Sequence, residues 1–201
     1  MINTIVFDLG KVLVDFKWED IYRKYFNDEE FNKVAKATIL HENIWKHLDK
    51  NDISYQEVMN KIKDLEPILF PKIELAIQEM YDTLIPYDYS YIWLKKLNDD
   101  GYNIYLLSNF GEIPYLKSKE KFTFMEFVLG QVISYEIKEI KPDSKIYQYL
   151  LDKYNIVSDN AVFIDDVLEN IEAANKLGFK TILFDNYNNA SNKLDTLLKD
   201  K

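Results

Sequence analysis

Five short segments of the chain are almost entirely apolar and predict buried β-strands. They cover residues 4–7, 104–107, 132–134, 161–164 and 181–184. Their apolar residues are consecutive rather than alternating, which is typical of strands that are covered on both faces of a parallel sheet. The chain is therefore expected to contain a sheet that is buried between two layers.

Between the later segments, apolar residues recur at the three- and four-residue spacing of an amphipathic helix. The stripes are Tyr91-Leu94-Leu97, Ile146-Tyr149-Leu150-Tyr154 and Ile171-Ala174-Leu177. Glycine or asparagine follows each stripe, as is common where a helix ends. Strands that alternate with helices predict an α/β fold, a Rossmann-like doubly wound parallel sheet.

Residues 17–86 have a different pattern. Apolar and aromatic residues recur there at helical spacing, no strand pattern is evident, and prolines interrupt the run at three places. We interpret this segment as an all-helical cap domain inserted after the first strand. The catalytic core is then formed by residues 1–16 and 87–201.

Composition narrows the possible functions. The chain has 201 residues, a formal charge of −9 and no cysteine. The missing cysteines exclude disulfides and Cys-ligated zinc, and the acidic balance gives a nucleic-acid partner little support. No basic leader and no apolar run of membrane-spanning length is found, so we expect a cytoplasmic protein with no membrane partner.

The residues that follow the predicted strands carry the candidate chemistry. Ligands of open parallel sheets bind beyond the carboxyl ends of the strands. Those ends hold Asp8 and Gly10, Ser108-Asn109, Lys141-Pro142, and Asp165-Asp166 with Asn170 one helical turn further on. Each group alone is more often a turn or capping residue than a catalytic one. Their occurrence in order along one edge is what favours a shared site.

These residue types match the needs of phosphoryl transfer, where catalysis consists mostly of positioning and charge stabilisation. A carboxylate such as Asp8 can attack phosphorus and form a covalent intermediate. A second carboxylate can complete a Mg²⁺ site. A hydroxyl such as that of Ser108 can donate to the phosphoryl oxygens, and a lysine can neutralise charge.

The ordered motifs resemble the haloacid dehalogenase superfamily, in particular the Phe-Asp-Leu-Gly-x-Val branch of sugar-phosphate (glucose-1-phosphate) phosphatases. The matching segments are Phe7-Asp8-Leu9-Gly10-Lys11-Val12, Tyr105-Leu106-Leu107-Ser108-Asn109, Ile140-Lys141-Pro142-Asp143 and Phe163-Ile164-Asp165-Asp166 with Asn170. Trp45, Leu48-Asp49 and Ile53-Ser54 of the insert are similar to that branch's cap. The resemblance implies a Mg²⁺-dependent phosphatase acting on a small phosphorylated metabolite.

The resemblance also implies roles for the phosphate-binding residues. Asp8 would be the nucleophile, and Ser108, Asn109 and Lys141 would bind the phosphoryl group. Lys141 would also be a catalytic residue. Lys138 is a competitor for the lysine role, but the proline after Lys141 favours Lys141.

For the metal, the resemblance implies Asp8, the backbone carbonyl of Gly10, and Asp166 as direct ligands. Asp165 would lie in the coordination sphere or just outside it. Asn170 would orient water molecules bound to the metal.

One position departs from the superfamily pattern. Most phosphatases that this sequence resembles have an acid–base aspartate where this chain has Gly10. The substrate could have a good leaving group, the cap could supply the acid, or the protein could be a poor catalyst. Cap candidates are Asp15, Glu19, His41 and His47.

Three other functions remain open at this stage. A metal-independent 2-haloacid dehalogenase shares the fold and the nucleophile, but Asp165-Asp166 beside Asp8 argues for a cation. A phosphomutase needs an acid–base residue that Gly10 cannot provide. A non-catalytic phospholigand- or partner-binding protein would not need a nucleophile. Among substrates, a sugar phosphate is expected, with glucose 1-phosphate as a specific candidate.

Overall fold

A computed structural model describes residues 1–35 and 44–199 of the chain. In chain order its strands are β1 (Thr4–Phe7), β2 (Val14–Asp15), β3 (Ile85–Pro86), β4 (Asn103–Ser108), β5 (Gly130–Ile133), β6 (Ala161–Asp165) and β7 (Lys180–Leu183). Five of them form one parallel sheet in the order β5-β4-β1-β6-β7. The predicted α/β fold with a parallel sheet is confirmed, and no predicted strand end differs from the observed one by more than two residues.

The described residues also contain eleven α-helices. They are α1 (Trp18–Tyr25), α2 (Asp28–Ala35), α3 (Ile44–Lys50), α4 (Tyr55–Leu65), α5 (Phe70–Asp82), α6 (Asp88–Asp99), α7 (Glu112–Ser118), α8 (Ser134–Ile137), α9 (Ser144–Tyr154), α10 (Leu168–Lys176) and α11 (Tyr187–Lys199). Within residues 1–35 and 44–199, no helix combines the length and the apolar character needed to cross a bilayer.

The sheet is covered by helices on both faces. Ile5 and Phe7 of β1 pack on one face with residues of α6 and α11, while Val6 packs on the other with residues of α9 and α10. Successive side chains of a strand point to opposite faces, so a strand between two helical layers must be apolar throughout. This layering explains why the strand segments were readable as unbroken apolar runs.

Two tyrosines assigned to the buried helix stripes lie instead on the surface. Tyr91 and Tyr149 are 38 % and 43 % exposed, whereas Trp93 and Tyr147 are buried. In α6 the buried residues are 90, 93, 94 and 97, the spacing of a full apolar helix face. The predicted stripes included these tyrosines because tyrosine is amphipathic and occurs both in buried and in exposed positions.

Helices α1 to α5, called the helical insert below, lie between β2 and β3 in the chain and share a hydrophobic cluster of their own. The chain enters and leaves the insert through the antiparallel pair of β2 and β3, where Val14 faces Pro86 and Asp15 faces Ile85. A strand was not expected in this region, because a two-residue strand is too short to show periodicity. The division into a core and a cap domain stays a prediction.

Candidate active site

Asp8 and Ser108 meet at the carboxyl edge of the sheet. Strands β1 and β4 are parallel neighbours, with Phe7 opposite Leu106, so the residues that follow them are brought side by side. The Ser108 hydroxyl donates to Asp8 Oδ1 at 2.7 Å, and both residues are buried. Two of the predicted phosphate-site residues are therefore in direct contact.

Lys141 joins two carboxylates of the site. Its Nζ lies 2.8 Å from Asp8 Oδ1 and 2.6 Å from Asp165 Oδ2, and its side chain is 1 % exposed. Asn109 holds the Lys141 backbone from both sides, accepting its N–H at 2.8 Å and donating to its carbonyl at 2.9 Å. Lys138, the competing lysine, is exposed. The Asn109 side chain is thus hydrogen-bonded to the Lys141 backbone and fixes its position.

The two adjacent carboxylates after β6 have different surroundings. Asp165 is fully buried and accepts hydrogen bonds from the Lys141 ammonium, the Asn170 amide at 3.0 and 3.1 Å, and the Val167 N–H at 2.8 Å. Asp166 is half-buried and lines the cavity beside Asp8. Asp165 is enclosed by the groups that donate to it and can therefore orient them, whereas Asp166 is accessible to a ligand in the cavity.

Burial sets the protonation of these groups. It raises the pKa of Asp8 to about 6, helped by the charge of Asp165 and opposed by Lys141 and the hydrogen bond from Ser108. Burial and the charge of Asp165 also raise the pKa of Asp166. Burial alone would lower the pKa of Lys141, but the charges of Asp8 and Asp165 outweigh it and raise that pKa. The lysine therefore remains charged, and Asp8 is mainly ionised at neutral pH.

A cavity of about 350 Å³ opens above Asp8 between the sheet edge and the helical insert. Its polar floor includes Gly10, Asn109 and Lys141. The rest of the wall is largely aromatic and aliphatic, formed by Phe16, Trp18, Tyr22, Trp45, Leu48, Met80, Tyr81, Leu84, Phe110 and Pro114. A small molecule with one anionic end fits this distribution of charge.

Among the acid–base candidates that lie within the described residues, Asp15, Glu19 and His47 do not line this cavity. Asp15 pairs with Lys17 at 3.1 Å, and His47 is bonded to Asp52 at 2.7 Å. Glu19 is exposed, and His41 lies outside the described residues. The residue that does reach the cavity is Asp49 of α3, to which the sequence reasoning assigned no role.

A family model for haloacid dehalogenase-like hydrolases matches residues 2–178. The chain belongs to this family. The resemblance predicted from the motifs is therefore confirmed at the level of the superfamily, as is the expectation of a hydrolase. The narrower sugar-phosphate branch stays a prediction.

Among curated proteins that are similar to this chain, a D-ribitol-5-phosphate phosphatase of Bacteroides thetaiotaomicron is 24 % identical, covering 90 % of this chain and 91 % of its own. A sesquiterpene phosphatase of Aspergillus oryzae is 22 % identical, covering 86 % and 85 %. A HAD family enzyme of B. thetaiotaomicron, solved with magnesium and inorganic phosphate, superposes with a TM-score of 0.73. It is 24 % identical and the match covers 90 % of this chain and 93 % of that one, which supports the fold.

Proposed function

We propose that this protein is a Mg²⁺-dependent phosphatase that hydrolyses a small phosphorylated metabolite through an aspartyl-phosphate on Asp8. The observation that carries the proposal is that Ser108 and Lys141 both lie within hydrogen-bonding distance of Asp8, and that Asp8 and Lys141 line one cavity. The phosphatase relatives support the same reaction class.

Each residue would have one role in the reaction. Asp8 attacks phosphorus, and the bond between phosphorus and the leaving oxygen breaks. Ser108 and Lys141 donate to the phosphoryl oxygens, where the negative charge is located. Asn109 keeps Lys141 in place through two backbone hydrogen bonds. Water then attacks the aspartyl-phosphate, which releases inorganic phosphate and restores the Asp8 carboxylate.

The residues present fit a divalent cation. Carboxylate oxygens of Asp8, Asp165 and Asp166 lie within 4.8 Å of one another, and hard oxygen donors are what Mg²⁺ prefers. Asp8 and Asp166 would hold the ion together with the Gly10 carbonyl, while Asp165 and Asn170 support them from behind. When bound, Mg²⁺ supplies positive charge that offsets the phosphate and the clustered carboxylates.

Two substrate classes have support. A sugar or polyol phosphate agrees with the ribitol-5-phosphate phosphatase relative and with the predicted branch. The monophosphate of an apolar alcohol is favoured by the aromatic wall of the cavity and by the sesquiterpene phosphatase relative. Both classes present the same phosphate to Asp8 and differ only in the group that faces the insert.

A phosphate-release assay over both substrate classes tests the proposal. We expect turnover in the wild type that is lost in Asp8→Asn, lost in EDTA and restored by added Mg²⁺. Asp152→Asn, an exposed carboxylate on α9, is the matched control and should retain full activity. Beryllium fluoride should bind the wild type and not Asp8→Asn.

The rival functions give different results in the same assay. Halide release from a 2-haloacid in EDTA would indicate a metal-independent dehalogenase. Binding of a phosphorylated ligand without turnover by the wild type would indicate a non-catalytic protein. Equal phosphate release by the wild type and Asp8→Asn would refute the mechanism.

A further inference from the structure

Asp49 is a carboxylate that lines the cavity and has no role in the mechanism described so far. It lies in the last turn of α3, so the helical insert supplies it rather than the sheet edge. The cavity that it lines also contains Asp8, Gly10 and Lys141. The Asp49 carboxylate therefore shares one cavity with the nucleophile.

The reaction needs a proton donor that the sheet edge does not supply. When an alcohol leaves phosphorus, its oxygen must gain a proton, and the attacking water must later lose one. The Lys141 Nζ already forms ion pairs with Asp8 Oδ1 at 2.8 Å and with Asp165 Oδ2 at 2.6 Å. Gly10 has no side chain, and a Cβ added there would meet nothing within 4 Å. The space beside Asp8 is therefore open toward the insert.

Contacts with the start of α8 and with the loop before α7 hold Asp49 in place. The Ser134 hydroxyl donates to the Asp49 carbonyl oxygen at 2.6 Å and accepts the Phe110 N–H at 2.9 Å. The backbone N–H of Gly111 acts on the Asp49 carboxylate and lowers its pKa. A Cβ on Gly111 would lie 3.3 Å from the carbonyl oxygen of Leu48, so α3 approaches this loop closely. The carboxyl group is thus positioned by the fold and not by a free surface loop.

The groups that face Asp49 favour its protonated form. The pKa of Asp49 is raised to about 7, mainly by burial and then by the charge of Asp8, while Lys141 and the backbone N–H of Gly111 act to lower it. Tyr81 of α5 also faces this carboxyl group. A general acid works best when its pKa is near the working pH, because both its forms are then available.

We propose that Asp49 is the general acid and base of the phosphatase reaction, in place of the carboxylate that Gly10 lacks. This inference rests on the proposed function. As Asp8 bonds to phosphorus, the electron pair of the breaking bond goes to the leaving oxygen, which takes the proton of Asp49. The Asp49 carboxylate then takes a proton from water as the water oxygen bonds to phosphorus. The Asp8–phosphorus bond breaks, and Asp49 ends protonated.

The test compares leaving groups in Asp49→Asn. An alkyl phosphate needs the acid, whereas p-nitrophenyl phosphate has a stable leaving anion and needs it much less. We expect kcat/KM for the alkyl phosphate, which reports formation of the aspartyl-phosphate and not its hydrolysis, to fall by about 10²- to 10⁴-fold, the usual contribution of general acid–base catalysis. For p-nitrophenyl phosphate kcat/KM should fall by less than about tenfold. Asp52→Asn, which removes an exposed carboxylate on the same side of the insert, should change neither rate.

A rescue variant separates proton transfer from a structural role. The position of Gly10 is open, so Gly10→Asp can place a carboxyl group beside Asp8. In the Asp49→Asn background, Gly10→Asp should raise kcat/KM for the alkyl phosphate by at least tenfold and leave kcat/KM for p-nitrophenyl phosphate little changed. Asp49→Glu should retain more alkyl phosphate turnover than Asp49→Asn, which gives a second comparison if the Asn variant folds poorly.

The outcomes distinguish this proposal from the one on which it rests. An equal fall of kcat/KM for the two substrates in Asp49→Asn, with no rescue by Gly10→Asp and no advantage for Asp49→Glu, would overturn the role of Asp49. The proposed phosphatase function would still stand if turnover depended on Asp8 and on Mg²⁺. Loss of that dependence would overturn the function itself.

Discussion

Replacing Lys141 with methionine should destabilise the fold in a way that depends on pH. The lysine side chain is 1 % exposed and neutralises Asp8 and Asp165, whose side chains are 10 % and 0 % exposed. Methionine has similar length but no charge, so two buried carboxylates would lose their cation. Removing one partner of a buried ion pair costs about 3–5 kcal/mol, because the remaining charge is left uncompensated.

The pH dependence follows from Asp8, whose pKa burial already raises to about 6. Without Lys141 this pKa should rise further. A carboxyl group whose pKa is higher in the folded chain than in the unfolded chain stabilises the fold at pH values below its pKa in the unfolded chain. This stabilisation is lost as the pH rises through its pKa in the folded chain. Each unit of pKa shift corresponds to about 1.4 kcal/mol. We therefore expect a loss of about 3 kcal/mol at pH 5.5, where Asp8 can take a proton, and of about 5 kcal/mol at pH 8.

Urea denaturation in metal-free buffer at the two pH values measures this effect, followed by circular dichroism and tryptophan fluorescence. Lys145→Met is the control, since Lys145 is exposed and pairs with Glu139 on the surface. Its free energy of unfolding should not change measurably at either pH. A loss in Lys141→Met that is the same at pH 5.5 and pH 8, or no larger than in the control, would refute the reasoning.

Two further substitutions test the hydrogen bonds that hold Lys141 and the packing at the start of β5. Asn109→Ala should lower kcat more than tenfold with a smaller change in KM, because it removes both hydrogen bonds that hold the Lys141 backbone; steady-state kinetics would contradict this if only KM changed. Gly130→Ala should destabilise the fold by about 1–3 kcal/mol, because its Cβ would lie 2.4 Å from the Tyr154 ring. Gly10→Ala, whose Cβ meets nothing within 4 Å, is the control in the same urea titration, and equal midpoints for the two variants would contradict the packing argument.

Much of the fold was readable from the sequence because burial leaves a direct trace in it. A parallel strand between two helical layers has to be apolar on both faces, and the five predicted segments coincide with the five strands of the main sheet. The carboxyl ends of those strands lie along one edge, so Asp8, Ser108 and Asp165 could be grouped before any distance was known. Lys141 could be grouped with them through its motif.

Other features left no such trace. The exposed Tyr91 and the buried Trp93 have similar aromatic character, and only the packing of α6 on the sheet distinguishes them. The pairing of β2 with β3 involves too few residues to form a pattern. The contrast between Asp165 and Asp166 depends on which carboxylate the Lys141 ammonium reaches.

The sequence by itself determined the strands of the main sheet and the set of residues at its carboxyl edge. These depend on local apolar runs and on short motifs, which are properties of neighbouring residues. Only the tertiary structure decided what faces that edge from the helical insert. Asp49 reaches the cavity that Asp8 lines because α3 docks on the loop at Gly111 and on the start of α8, and a contact between distant segments has no periodic signal in either segment.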